Sequence, residues 1–154
     1  MTYGCYESPL GPLLLAWEEE DLTGLWMNRE MPEQMHPVPE AVKQWLDDYF
    51  QGNPGEISFS LKTTGTPFQQ QVWQILRTIP FGQTRTYGDI AREMAALTGK
   101  KKMSAQAIGQ AVGRNPISIL IPCHRVVGAG GKLTGYAGGL ENKVWLLEHE
   151  GAEL

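Results

Sequence analysis

Two observations predict an α/β chain in two parts. One part is a small N-terminal α/β domain with an antiparallel sheet, over residues 1–62. The other is a mainly helical C-terminal domain containing a helix-turn-helix, over residues 66–154. The first observation is a change of period. Short apolar stretches separated by turn residues fill the beginning of the chain, whereas from Thr66 onward apolar residues recur at helical spacing. The second is charge. Residues 1–65 carry 3 basic and 11 acidic side chains, residues 66–132 carry 9 and 2, and residues 133–154 carry 1 and 4. The overall charge of -4 thus hides a basic middle segment, which suits an anionic partner, while the acidic flanks favour solubility.

With 154 residues, 42% of them hydrophobic, the chain can bury one core or two small ones. No apolar run approaches the ~20 residues of a membrane span. The opening "MTYGCYES" lacks the basic-then-apolar pattern of a secretory signal. Cys5 and Cys123 are too few for a secreted disulfide scaffold, so a cytoplasmic location is expected. No C-x-x-C or H-x-x-x-H spacing occurs, so no metal site is expected.

Taken in order, "LLLAW" and "LTGLWMN" read as strands around the turn signals "SPLGP" and "EEEDLTG". "VPEAVKQWLDDYF" reads as a helix with Val42, Trp45, Leu46 and Phe50 on one face, ended by Gly52 to Pro54. "EISFSL" alternates and predicts a further strand, and "KTTGT" a linker. Thr66 can cap the next helix, with Pro67 at its first position and Phe68, Val72, Ile75, Leu76 and Ile79 inward. "IPFG" breaks it. Thr86 can cap a helix reaching about Leu97, with Ile90, Met94 and Leu97 inward. After the basic turn "TGKKKM", Ser104 can cap a third helix, "AQAIGQAVG". Asn115-Pro116 stops it. "ISILI" reads as extended, and a glycine-rich loop from Gly128 to Gly139 leads to a last helix, "ENKVWLLEHE", closed by Gly151. Two short helices, the second rich in small residues and preceded by three lysines, have the layout of a helix-turn-helix.

The stretch "IPCHRVVG" (121–128) holds the chemistry. Cys123 is either an inert buried cysteine or a nucleophile. A thiol at its reference pKa of ~8.5 is mostly protonated at neutral pH, so attack requires a base or a positive charge close by. His124 and Arg125 are the candidates. In extended chain Cys123 and His124, as neighbours, point to opposite sides, so His124 is expected to reach the sulfur through water. A histidine base needs an orienting group, and Glu148 or Glu150 can serve. Cys5 has no such surroundings and reads as a structural strand residue.

"TPFQQQVWQILRTIPFGQTRTYGDIA", "NPISILIPCHRVVG" and "LTGYAGGLENKVWLLEHEG" resemble the O6-alkylguanine-DNA alkyltransferases, or methylated-DNA–protein-cysteine methyltransferases. The likeness runs from about Thr66 to Gly151; "SPLGPLLLA" and the helix near Trp45 match the family's smaller domain loosely. The resemblance implies direct, stoichiometric DNA repair by a single-turnover methyltransferase without a cofactor. It implies that the chain flips an alkylated guanine out of double-stranded DNA and takes the O6-alkyl group onto its own cysteine; a monomer is expected, since one suffices for a single damaged base. O4-alkylthymine is left open as a second substrate.

Carried over by position, Cys123 is the alkyl acceptor, His124 its base through water, and Glu150 the group that orients the histidine. Asn115 holds the turn before the acceptor, and Tyr87 hydrogen-bonds the flipped base. The carbonyls of Cys123 and Val126 accept from the guanine amino group, and the Ala137 N–H faces O6. Tyr136 and Gly138 shape that loop. Ser104, Arg114 and Arg125 join the expected DNA-binding positions, as does Gln106. At Gln106 the sequence departs from the family, which has an arginine there to fill the space of the flipped nucleotide. Two alternatives stay open: a non-catalytic binder of alkylguanine DNA, and a Cys-His hydrolase of small substrates.

Overall fold

The computed structural model describes residues 1–153. They form two compact units, Met1–Thr63 and the remainder from Thr64.

The first unit is a sheet with one helix. Strands β1 (Thr2–Ser8), β2 (Gly11–Glu18) and β3 (Asp21–Trp26) make an antiparallel meander. A two-residue strand, β4 (Ser60–Leu61), joins β3 in parallel, so the sheet is mixed rather than purely antiparallel as expected. Only the end of "EISFSL" pairs. Strand β1 has no counterpart in the sequence reading, because "TYGCYES" offers little apolar alternation; register with β2 defines it. Helix α1 (Glu40–Phe50) buries Val42, Leu46 and Tyr49. Tyr49 takes the place expected of Trp45 and Phe50, which are half-buried. Trp45 instead sends its Nε1–H to the Gly55 carbonyl at 2.9 Å. Leu13, Leu15, Leu22, Leu25 and Leu46 complete the core. Cys5 lies in β1, beside Glu7.

The second unit is helical. Helix α2 (Pro67–Leu76) begins with a capping box: Thr66 Oγ1 accepts from the Gln69 N–H, and the Gln69 side chain accepts from the Thr66 N–H. Val72, Trp73, Ile75 and Leu76 are buried, and Trp73 reaches across to the Ala111 carbonyl at 2.8 Å. The apolar spacing reading omitted Trp73 and included Phe68, which is half-buried. Strand β5 (Arg85–Thr86) precedes helix α3 (Tyr87–Thr98), whose capping box uses Thr86 and Asp89. Ile90 and Met94 face inward, but Leu97 is 57% exposed. It falls in the last turn, just before the left-handed Gly99 redirects the chain. Ser104 caps helix α4 (Ala105–Gly113). Helices α2, α3 and α4 pack on one another, with α3 and α4 as the helix-turn-helix pair.

The largest departure is at "ISILI". Its β-branched residues suggest extended chain, yet Ile117–Ile121 winds through compact turns, with Ile119 at φ 72°. Cys123–Arg125 is a single 3-10 turn, not part of a strand. Strand β6 (Val126–Val127) then pairs in parallel with β5, and helix α5 (Leu140–His149) closes the unit. No helix among the described residues is long and apolar enough to cross a membrane.

Candidate active site

Two short features bring the reactive residues together. The β5–β6 ladder pairs Arg85 with Val126 and Thr86 with Val127. It therefore ties the start of α3, where Tyr87 sits, to the exit of the turn that carries Cys123. The second feature is Asn115. Its Oδ1 accepts from the Ile117 N–H at 3.0 Å, forming an Asx turn. Its Nδ2 donates to the Ile121 carbonyl at 2.7 Å and to Cys123 Sγ at 3.1 Å. One buried amide thus clasps both ends of the wound segment and puts a donor on the sulfur.

Cys123 is buried, and burial pushes its thiol pKa up. Hydrogen bonds from Asn115 and Tyr136 and the charge of Lys143 act in the opposite direction, by favouring thiolate. The sulfur lies on a cavity of about 200 Å³ lined by Tyr87, Asn115, Ser118, Tyr136 and Ala137, with Gly109, Val112 and Gly113 on the α4 side. That is below the ~300 Å³ at which small-molecule pockets usually begin, and it suits a flat base more than a whole nucleotide. Tyr87 directs its hydroxyl into this region, where it accepts from Thr134 Oγ1 at 3.3 Å. A groove of about 410 Å³ in the first unit, beside Trp17 and Glu19–Leu22, is lined by no cysteine or histidine.

Behind the cysteine, Glu150 accepts four hydrogen bonds. His124 Nε2 lies 2.6 Å from Oε2. Arg125 donates to both oxygens, at 2.8 and 3.0 Å, and the Gly82 N–H donates at 3.1 Å. Burial alone would raise the Glu150 pKa, but His124 and Arg125 outweigh it and hold the carboxyl well below the usual range. An ionised carboxylate only accepts, so the proton of the neutral imidazole must sit on Nε2. Burial keeps the ring neutral by pushing its pKa down. Nδ1 is then the lone-pair nitrogen, and it is buried with no hydrogen-bond partner among the described residues.

The 3-10 turn removes the premise that Cys123 and His124 diverge as strand neighbours. Even so, no direct bond joins the imidazole to the sulfur: His124 spends Nε2 on Glu150. Of the two carboxylates considered, Glu150 is the partner, and Glu148 is exposed.

Other expected binding positions fall differently. Arg125 is not at a surface that could meet DNA. It is buried against Glu150, donates to the Ile79 carbonyl at 2.6 Å and lies over the Phe81 ring. Ser104 caps α4 with its hydroxyl, Gln106 is exposed in the first turn of α4, and Arg114 is exposed just beyond it. The Val126 carbonyl already accepts from Lys143 Nζ at 2.6 Å, and the Cys123 carbonyl from the Val126 N–H. Each oxygen keeps a second lone pair. Gly138 is buried and its carbonyl accepts from Asn142. Sequence reasoning missed Lys143, Gly82 and Ser118. Lys143 breaks the rule that lysines face water, and periodicity gives no cue to the other two.

Comparison with known proteins identifies the family. The family model described as 6-O-methylguanine DNA methyltransferase, DNA binding domain, matches residues 67–152, and the ribonuclease-like domain of the same description matches residues 1–63. A methylated-DNA–protein-cysteine methyltransferase of Methanosarcina acetivorans is 43% identical, over 99% of both chains. One from Mycobacterium leprae is 47% identical over 94% of this chain and 88% of its own. Among solved structures, Mycobacterium tuberculosis OGT in complex with DNA superposes with a TM-score of 0.86 at 44% identity, covering 98% of this chain and 93% of that one. With both family models matched in sequence order and together spanning nearly the whole chain, the protein belongs to the 6-O-methylguanine DNA methyltransferase family.

Proposed function

We propose that this chain repairs double-stranded DNA by moving the alkyl group of O6-alkylguanine onto Cys123, once per molecule. The observation that carries the reading is the Asn115 amide on the Cys123 sulfur, at the edge of a base-sized cavity. A donor at 3.1 Å favours the thiolate form. Alkyl carbon is a soft electrophile, and the thioether formed is a poor leaving group, so the thiol does not regenerate.

In this reading His124 takes the thiol proton at Nδ1 through a water, because Glu150 holds the Nε2–H tautomer. Thiolate sulfur attacks the alkyl carbon, the carbon–O6 bond breaks, and the electron pair goes to the guanine oxygen. Tyr87, on the same cavity, hydrogen-bonds the base and helps return the proton. Asn115 and Arg125 act as positioning residues, the first on the sulfur and the second on Glu150. The helix-turn-helix face, with Lys100, Lys101, Lys102 and Arg114, meets the phosphates, and Gln106 enters the stack where the base has left. The protein acts as a monomer in the cytoplasm.

The test is to incubate the chain with duplex DNA carrying labelled O6-methylguanine. One label per chain, mapped to Cys123 and lost in Cys123→Ala, is the expected result. Binding without transfer would mean a non-catalytic reader of the lesion. Repeated turnover of a small ester without label would mean a hydrolase.

A further inference from the structure

Lys143 is the only buried lysine among the described residues, with 0% of its surface exposed. It stands on α5 two helical turns before Glu150, so both face the reactive turn from one side of the helix. Its ammonium has three donors. One goes to the Val126 carbonyl at 2.6 Å, and the Val126 N–H closes the 3-10 turn on the Cys123 carbonyl. The other positive group nearby, Arg125, is neutralised by Glu150 through two hydrogen bonds. His124 is neutral, and Asn115 and Tyr136 bring no charge. Among the described residues no carboxylate pairs with Lys143, so it is the uncompensated cation beside the reactive turn. The two groups feel each other: an ammonium at Lys143 lowers the Cys123 pKa, and a thiolate at Cys123 raises that of Lys143 against the burial that depresses it.

We propose, resting on the reading of Cys123 as alkyl acceptor, that Lys143 is a positioning residue. It holds the reactive turn through Val126, serves as counter-charge to the thiolate, and is left as an unpaired buried cation once the sulfur is alkylated. The chemistry makes the last point unavoidable. The S–C bond forms, the C–O6 bond breaks, the electron pair leaves with guanine, and the thiol proton is returned to the base. The product is a neutral thioether, so the ammonium loses its anion. A buried charge without a partner is costly, so at a pH where the unreacted sulfur is thiolate the spent protein must either shed that proton or lose stability.

The experiment uses the full chain and Lys143→Met, Lys143→Gln and Lys143→Arg. Met removes the charge at nearly constant volume, and Gln gives a second neutral variant should Met disturb folding, checked by circular dichroism. Cys123 alkylation by O6-methylguanine duplex and, separately, by iodoacetamide is timed from mildly acidic to alkaline pH. The neutral variants should shift the midpoint of the rise upward by about one pH unit, or about tenfold in rate at neutral pH. Arg should retain most of the wild-type midpoint. Above that midpoint, where the unreacted sulfur is thiolate, S-methylation should lower the melting temperature of the wild type by more than that of the neutral variants. An unchanged midpoint in both neutral variants, or an equal melting-temperature drop in all chains, overturns the proposal. A wild type that takes no label from DNA refutes the acceptor reading instead, and the iodoacetamide profile still decides the role of Lys143.

Discussion

Replacing Glu150 by Gln removes one charge and changes almost no volume, so the consequence can be worked from the contacts. The Glu150 side chain is 0% exposed and that of Arg125 10%. Glu150 accepts from four donors: His124, Arg125 twice, and the Gly82 N–H. Glutamine keeps one accepting oxygen and turns the other site into an NH₂ that confronts a donor. Arg125 is left as a buried charge without its counter-ion. Breaking a buried pair in this way costs about 3–5 kcal/mol. For a chain of this length that is a fall in melting temperature of roughly 6–20 °C. The assay is thermal unfolding of wild type, Glu150→Gln, Arg125→Met and the double variant. Removing both charges should recover part of the loss, because an apolar replacement of a buried pair is often tolerated. The pH dependence has a fixed sign. The folded pKa of Glu150 is depressed, so its stabilisation is complete above the unfolded value of about 4.3 and disappears as pH falls through the folded value. The gap between wild type and variant should be full at neutral pH and close in acid. Losses that simply add in the double variant, or a gap that persists in acid, would refute the coupling argued here.

His124→Gln should flatten the stability profile below about pH 6.5. The folded imidazole has a depressed pKa, so wild type loses stability as pH falls below the unfolded value, which equilibrium denaturation at several pH values would reveal. His124→Ala should slow alkyl transfer by ~10²–10⁴-fold in single-turnover kinetics, the usual range for a lost general base. Gly82→Ala should destabilise the chain and slow transfer. Gly82 has φ 83°, and an added Cβ would lie 3.0 Å from the Glu150 carbonyl oxygen; Ala at a surface glycine such as Gly55 is the control. Gln106→Ala should slow repair of duplex more than reaction with free O6-methylguanine, since only the duplex requires base flipping; equal effects on both would exclude Gln106 from extrusion.

Caps and stops were legible because they are local. Thr66, Thr86 and Ser104 each accept the bond their position promises, and Asn115-Pro116 ends α4. The Cys123, His124 and Glu150 grouping was legible through the family resemblance, since spacing could not choose between Glu148 and Glu150. What escaped was set by tertiary contact. Strand β1 exists through its register with β2, and Tyr49 displaces Phe50 in the core through packing. Ile117–Ile121 has strand propensity, but the Asn115 clasp and burial of the isoleucines override it. Arg125 and Lys143 read as surface charges in any one-dimensional pattern, and only the fold shows that Glu150, at the end of α5, gives Arg125 a carboxylate and that Lys143, on α5, donates to the Val126 carbonyl.

Ile119, at φ 72°, has a bearing on what happens when the second unit opens. A β-branched residue resists left-handed backbone, at a cost of about 1–3 kcal/mol that the native loop must offset. Released from the clasp, the segment 117–121 is free to extend, and it is uncharged and rich in isoleucine. Such windows seed cross-β association between chains. Pro116 and Pro122 bracket this one and confine it to five residues, in the manner of gatekeepers. Heating in concentrated solution should therefore end in aggregation that competes with refolding, so that the apparent melting point rises with scan rate. Either bracketing proline, exchanged for a β-former such as valine, should lengthen the sticky window and hasten precipitation.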